Sequence, residues 1–441
     1  MAEDRQGVID ALTKQLAATP RGTRPHEHAT VAYRLGLAHA ESAGAKPTES
    51  LRRALAFYDV AAAIFDPRHE PVHHARVLNA AGAAHRGLGN RDKATELWEK
   101  AATLLEAEGS DNERAAVYNN VGLARTEMGN PAGAVEAFDK AVELFDITEA
   151  EGRRGHLAAL HNRGQAHTST GTDEGLEAAL ADFEEARGVV DIEEAPLHHA
   201  MIEHSVGVTC SALATRRPEE RDSFYAEAVR AFKESLLAFA RSSFPYQHAL
   251  AKHNLGLAYA GLGGTANLRR ALAAFEDSLA VLDPRLQADS WRQVFASMER
   301  VEKQLATEFP GATRADHFAA LVAGVRDEER EHLVNDRLQR MFTLPEQQLL
   351  TASAELAVAV AKLGQQKAFP VIEAQLLIVM EQPKEFHAIA LRAIHEAHRQ
   401  IEDEDLRDEA NQALDQAIGG LGGVQRIHAR DYLYSIGWER P

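Results

Sequence analysis

Two pairs of side chains in the last third of the chain have the spacing of metal ligands. His395 and His398 stand three residues apart, so a helix places both on one face. Glu329 and His332 form an ExxH pair, and di-iron sites in helical bundles combine two such pairs with further glutamates. Only one ExxH pair is present in this part of the chain. We therefore favour exposed helix residues here, with a metal site at His332, His395 and His398 as the alternative.

The remaining chemistry-bearing patterns point away from catalysis. The sequence contains no GxxxxGK[ST], GxSxG or EF-hand loop. Residues 261–266 satisfy GxGxxA, but no strand precedes them as dinucleotide binding requires. The one cysteine, Cys210, permits neither an intramolecular disulfide nor a CxxC site, and its place in the repeat described below predicts burial. We expect no catalytic activity and no cofactor.

Composition and charge narrow the class of protein. The 441 residues are 45% hydrophobic but only 6% aromatic, which favours packed helices over a β-sandwich or barrel. The 66 acidic and 48 basic residues give a net charge of −18, which opposes sequence-independent binding to nucleic acid. The N-terminal residues lack the pattern of a signal peptide, and no apolar run reaches membrane-spanning length. We expect a cytoplasmic protein that binds neither nucleic acid nor membrane.

A repeat of two helices dominates the sequence. Each unit has a helix that ends in an apolar-Gly pair and, further on, a second helix with an aromatic ring four residues after an alanine. Close helix crossing requires the small residue, and the ring fills the space beside it. The glycines are Gly36, Gly82, Gly122, Gly164, Gly207 and Gly256, and the rings are Tyr58, Trp98, Phe138, Phe183, Phe232 and Phe275.

This pattern resembles the tetratricopeptide repeat family, in a variety with longer repeats of about 42 residues. The second and third units match best, and Gly89 and Gly129 stand where the family ends its first helix. The resemblance covers residues 28–308. It implies an all-α, right-handed superhelix (an α-solenoid) whose concave wall is lined by the first helix of each repeat.

The resemblance also implies where a ligand is held. In the family, first-helix side chains at fixed distances from the glycine face the groove, and asparagine there can grip a peptide backbone. Arg76 and Arg86 could receive carboxylates of a partner. The full set of groove candidates is Tyr33, Arg76, Asn79, Arg86, Asn119, Asn120, His161, Asn162, Gln165, His204 and His253.

Histidine recurs eight residues before the repeat glycine. It occupies this position in five of six units, and Arg114 replaces it in the third. A position that recurs in every unit is more often architectural than catalytic, so we predict a structural role at the start of the first helix. The histidines are His28, His74, His156, His199 and His248.

The flanking segments are predicted to be helical. Residues 1–27 hold a capping helix, 28–308 the six repeats and a seventh helix, and 309–441 a further helical domain without a visible repeat. In that domain we predict helices over 313–341, 345–363, 367–381, 384–401 and 406–418, punctuated by Pro370 among others. A glycine-rich hinge at 419–423 precedes an aromatic tail of Tyr432, Tyr434 and Trp438, which we expect to dock on the protein itself.

The interpretation we favour is a non-catalytic interaction protein that binds an extended peptide or partner segment in its groove. One alternative is a regulatory sensor whose C-terminal domain is repositioned by a ligand. The other is an enzyme or metalloprotein with its site in the C-terminal helices. The sequence does not indicate an oligomeric state.

Overall fold

The computed structural model describes residues 2–42 and 47–441, without the side chains of residues 2–5, 107 and 108. Every regular element in this described part is an α-helix. The chain divides into two compact units, Met1–Arg216 and Arg217–Pro441. The domain boundary at 308/309 stays a prediction. Within the described part, no helix is both long and apolar enough to span a bilayer.

The first unit is a chain of antiparallel helix pairs behind a capping helix. Each first helix packs on its own second helix, and each second helix packs on the first helix of the next repeat. Its helices are α1 Ala2–Ala18, α2 Pro25–Glu41, α3 Pro47–Ala62, α4 Pro71–Gly87, α5 Arg91–Glu108, α6 Asp111–Glu127, α7 Pro131–Leu144, α8 Ala150–Thr170, α9 Asp173–Val189 and α10 Pro196–Arg216.

The second unit contains another helix pair, α12 with α13, followed by helices that stack differently. From α15 onward each helix packs on the next helix but one: α15 on α17, α17 on α19, α16 on α18 and α18 on α20. The helices are α11 Arg221–Ala238, α12 Pro245–Leu262, α13 Thr265–Leu279, α14 Ala288–Glu308, α15 Arg314–Gly324, α16 Asp327–Met341, α17 Glu346–Ala361, α18 Gln365–Val379, α19 Lys384–Arg399, α20 Glu404–Gly420 and α21 Gly423–Ser435.

Glycine and ring meet as the repeat pattern predicts. A Cβ added at Gly122 would lie 2.5 Å from Cε1 of Phe138, a ring with no exposed surface. Gly82 with Trp98 and Gly164 with Phe183 show the same close approach, and Gly36 faces Tyr58. Any larger residue would push the two helices apart. The prediction of an all-α, tetratricopeptide-like fold is confirmed.

The turns inside the repeats also match the pattern. Gly89 and Gly129 have φ of 82° and 73°, a left-handed conformation that L-residues with a side chain adopt only under strain. They follow the last turns of α4 and α6 directly. Pro71 opens α4 at its first position, where a missing N–H costs no helical hydrogen bond.

Three predictions for the C-terminal helices are wrong. The helix predicted over 313–341 is two helices, because the guanidinium of Arg330 turns back to donate to the carbonyl oxygens of Val322 (2.8 Å) and Val325 (2.7 Å). These bonds satisfy acceptors that the end of α15 leaves open. Pro370 lies inside α18 rather than at its boundary. The glycine-rich hinge is absent, since Gly420 ends α20 and Gly423 begins α21.

The tail is helical as far as Ser435. Trp438 is buried with Leu433 and Ala429 in the core of the C-terminal helices, so this ring docks on the protein as expected. Tyr432 packs against the same core, but Tyr434 is 48% exposed.

Candidate functional site

A polar cavity of about 990 Å³ lies in the first unit, along the first helices of successive repeats. Five of the predicted groove residues line it: Tyr33, Arg76, Asn79, Asn119 and Asn120. The other six, from Arg86 to His253, do not line it. The sequence pattern and the cavity thus coincide over α2, α4 and α6.

The asparagines of the predicted column bond to one another between repeats. The Asn120 amide donates from Nδ2 to Oδ1 of Asn79 at 2.9 Å, and Asn162 donates to Asn119 in the same way at 3.0 Å. In each pair the donor stands two residues before one repeat glycine and the acceptor three residues before the preceding one. These amides therefore tie neighbouring first helices together at the wall of the cavity.

Histidine and serine continue this ladder beyond the asparagines. His161 Nε2 lies 3.0 Å from Oγ of Ser205, at the equivalent pair of positions, and Gln165 Nε2 lies 3.4 Å from the same histidine nitrogen. His253 Nε2 lies 3.4 Å from Ser297 Oγ in the second unit. Burial lowers the pKa of His161 and of His253 to about 4, so both rings are neutral at pH 7.

His204 is half-buried, and burial lowers its pKa to about 4 as well. Together with His161 and His253 it forms a set of neutral rings. These rings can exchange hydrogen bonds but carry no charge with which to attract a ligand at neutral pH.

The two arginines predicted to receive carboxylates already pair with carboxylates of the protein. Arg76 Nε donates to Glu113 Oε1 at 2.5 Å, and Arg86 Nε donates to Glu127 Oε1 at 2.7 Å. Arg91 donates to the other oxygen of Glu127 at 3.0 Å. A partner carboxylate would have to replace these half-exposed pairs, whose net stability is small.

Acidic side chains outnumber basic ones around the cavity. Two guanidinium groups, those of Arg76 and Arg154, reach its wall. The five lining carboxylates belong to Asp111, Glu113, Asp146, Glu149 and Glu151. Counted at full charge, the lining carries a net −3, which disfavours an acidic occupant.

Four recurrent histidines each tie a first helix to the end of the helix before it. His74 Nδ1 donates to the carbonyl oxygen of Phe65 at 2.8 Å, just beyond α3, and His248 donates to that of Phe239 at 2.9 Å. His28 and His156 make the same kind of bond, to Thr19 and Val142. Carbonyl groups at helix ends lack intrahelical donors, so these rings supply the missing N–H donors. The predicted structural role accounts for these contacts.

The C-terminal histidines are not placed as a metal site, and the prediction of exposed residues is wrong for two of them. His395 and His398 are 6% and 2% exposed, and His398 Nδ1 donates to Asn411 Oδ1 at 3.0 Å. His332 is exposed, 3.6 Å from Asp336, and Glu329 accepts from Arg270 instead. Among the residues the structure describes, no three His, Cys, Asp or Glu side chains are grouped to hold a metal ion.

Sequence reasoning missed a buried ion cluster in the second unit. Lys252 Nζ donates to Asp277 at 2.9 Å and to Asp336 at 2.7 Å, and the side chain is 8% exposed. Arg340 Nε lies 2.9 Å from the other oxygen of Asp277, and Arg337 pairs with Glu276. A lysine four residues before a repeat glycine was the only signal, and its partners lie 25 and 84 residues away.

It also missed a recurrent aspartate in the linkers between repeats. Its carboxylate accepts a hydrogen bond from the backbone N–H two residues on, which closes a tight turn. An Asp directly after an apolar residue was the available signal. The residues are Asp66, Asp146, Asp191 and Asp283.

Comparison with known proteins supports the repeat assignment. Residues 115–146, which span α6 and α7, match the family model for the tetratricopeptide repeat. No curated protein matches the chain.

Several solved repeat proteins are similar in fold. A putative kinesin light chain from Podospora anserina with nearly identical TPR-like repeats is 16% identical, over 47% of this chain and 98% of its own, with a TM-score of 0.37. The Rap conjugation gene regulator of plasmid pLS20, in complex with the Phr* peptide, is 14% identical over 90% and 97%, with a TM-score of 0.37. Human IFIT1, a dimer with m7Gppp-AAAA, is 15% identical over 87% and 76%, with a TM-score of 0.36.

The matched repeat and the glycine–ring packing of the helix pairs are specific to one architecture. The chain thus contains a tetratricopeptide repeat at residues 115–146 within an all-α, tetratricopeptide-like fold.

Proposed function

We propose that the protein is a non-catalytic interaction protein that binds an extended peptide segment in the cavity of the first unit. The observation that carries the proposal is the cavity itself, about 990 Å³ in volume and lined by first-helix side chains. That volume is the size of a site for several residues of peptide, at the upper end of the range for ligand pockets.

The asparagine ladder supports backbone recognition. The oxygens of Asn79 and Asn119 accept from neighbouring repeats, and within the described part of the chain their amide nitrogens donate to no protein group. Each NH₂ group can donate to a peptide carbonyl without regard to the side chain that follows. The ladder holds these donors in place, so little conformational entropy is lost when a peptide binds.

The charge of the lining supports a preference among peptides. A net −3 favours segments that carry lysine or arginine over acidic ones. Glu151 is an exposed residue of the lining, so a basic residue of the peptide can approach its carboxylate.

A steric block tests the proposal without disturbing the ladder. Ala116 lines the cavity, so the ring of Ala116→Trp obstructs part of it, whereas Ala132 is exposed on α7 and outside the lining. Peptides selected from a random displayed library on the wild-type protein should bind the Ala116→Trp variant at least about tenfold more weakly, as fluorescence polarisation measures. The Ala132→Trp variant should bind them unchanged. Equal binding by both variants would place the peptide elsewhere and refute the proposal.

A further inference from the structure

The first helix of the fifth repeat, α10, exposes an apolar stripe in the first unit. From His199 to Ala214, all of which the structure describes, Met201 and Val208 are the only exposed residues, at 44% and 36%. Leu197 is 37% exposed and stands four residues before Met201, so a helix places the three side chains on one face. These three residues are called the α10 stripe below.

The register of the repeats puts the α10 stripe on the same wall as the cavity. Leu197 and Met201 stand ten and six residues before the repeat glycine Gly207. The residues at these two distances before the preceding repeat glycines all line the cavity, and they are Asn112 and Ala116 on α6 and Arg154 and Ala158 on α8. Because stacked repeats present equivalent residues on the same side, the α10 stripe extends the lining by one repeat.

Hydrogen bonds between first helices fix that register. His161 Nε2 lies 3.0 Å from Ser205 Oγ, and Thr168 Oγ1 lies 3.0 Å from Thr209 Oγ1, so two contacts join α8 to α10. The first contact continues the ladder of the asparagines, which joins α4 to α6 and α6 to α8. Met201 stands one helical turn before Ser205, beside the point where the ladder reaches α10.

We propose that the α10 stripe receives a large apolar side chain of the same peptide segment that occupies the cavity. The inference rests on the proposed function and names the chemistry of the peptide more closely. Neighbouring first helices lie about 10 Å apart, and an extended chain advances about 3.3 Å per residue. The apolar residue therefore stands about three positions from the basic residue that approaches Glu151 on α8. The partner is a segment that carries lysine or arginine and, about three residues away, leucine, isoleucine, methionine or phenylalanine.

The size and the place of the α10 stripe favour this occupant over a second folded protein. Three partly exposed side chains offer far less than the roughly 800 Å² per partner that a stable protein interface buries, but they suffice to cover one or two side chains. The α10 stripe also begins one first helix beyond Ala158 of the lining, at equivalent positions. An extended chain that leaves the cavity along the wall reaches the α10 stripe without a turn.

A charge placed in the α10 stripe tests the inference. The probes are peptides selected from a random displayed library on the wild-type protein, and the tightest of them should bind Met201→Glu at least about tenfold more weakly by fluorescence polarisation. Met128→Glu is the matched control, because Met128 is 40% exposed and outside the lining, and it should bind the peptide like the wild type. Replacing the peptide's apolar residue by lysine should weaken binding to the wild type and restore binding to Met201→Glu.

The Ala116→Trp variant separates failure of this inference from failure of the proposed function. A peptide weakened by Ala116→Trp but not by Met201→Glu occupies the cavity without reaching α10, which overturns this inference alone. A peptide indifferent to Ala116→Trp overturns both. Equal loss of binding in Met201→Glu and Met128→Glu, or self-association of the wild type that Met201→Glu abolishes, would also refute the assignment of the α10 stripe.

A serine scan of the selected peptide needs no protein variant, so it decides the question even if Met201→Glu fails to fold. Serine in place of the apolar residue should weaken binding to the wild type at least about tenfold, because the α10 stripe loses its apolar contact. If no apolar residue of the peptide is sensitive to serine, the inference is wrong.

Discussion

Removal of the buried lysine of the second unit should destabilise the protein substantially. Lys252 lies between Asp277 and Asp336, at 2.9 and 2.7 Å, and joins α12 and α13 to α16. Burial alone would lower the pKa of Lys252, but the two carboxylates outweigh it and raise that pKa. Lys252→Met keeps the volume and leaves Asp277 with one cation fewer.

The structure sets the size of the effect. Breaking a buried ion pair by removing one partner costs about 3–5 kcal/mol, since the remaining charge stays buried. We expect the lower end, about 3 kcal/mol, because Arg340 still lies 2.9 Å from Asp277. The double variant Lys252→Met/Asp277→Asn should cost less than the sum of its single changes, by about 2 kcal/mol, because it no longer buries an uncompensated carboxylate.

Hydrogen exchange of the α16 amides measures this effect, since it reports the local free energy of opening of that helix. Arg392→Met is the control, because Arg392 pairs with Glu396 on an exposed helix surface at 2.7 Å and should leave exchange in α16 unchanged. If Lys252→Met lowers the free energy of opening by less than about 1 kcal/mol, the ion cluster does not hold α16 in place and the reasoning fails.

Three further changes probe the repeat contacts and the buried rings. Gly122→Ala should destabilise the protein by about 1–3 kcal/mol in urea unfolding despite alanine's better helix propensity, whereas Gly7→Ala, with open space around it, should stabilise it slightly. Asn120→Ala should cost about 1 kcal/mol, and the cost should vanish in an Asn79→Ala background, since the two side chains share one hydrogen bond. The pKa of His398 is lowered by burial to about 4, so below its unfolded value of about 6.5 only the unfolded chain takes up the proton. Stability should therefore fall as pH drops from about 6.5 to 4, and His398→Leu should make that part of the melting-temperature profile less steep, while His161, His204 and His253 still contribute.

The repeats could be predicted because their signals are local. The distance from Gly82 to Trp98, or from Gly122 to Phe138, spans one helical hairpin, and close packing of two adjacent helices needs little else. The C-terminal helices were harder to delimit. Arg330 belongs to the helix after α15, and its side chain donates to carbonyl oxygens at the end of α15. Neither helix propensity nor hydrophobic periodicity predicts that contact.

The polar column shows the same limit at the candidate site. The sequence places Asn79, Asn119 and Asn120 on the first helices, and all three side chains line the cavity. The sequence does not show that the Asn120 side chain donates a hydrogen bond to Asn79. The two residues stand 41 positions apart and meet only when the repeats stack in register.

The order of the residues alone therefore determined the repeat helices, their pairing and the places of Asn79, Asn119 and Asn120 on the first helices. Those features depend on spacing within a single hairpin. Only the packed molecule decided which amides hold repeats together, which carboxylates neutralise Arg76 and Lys252, and which face of α10 is left exposed. Those outcomes depend on distances between side chains remote in the chain, and stacking sets such distances without leaving a periodic trace in the sequence.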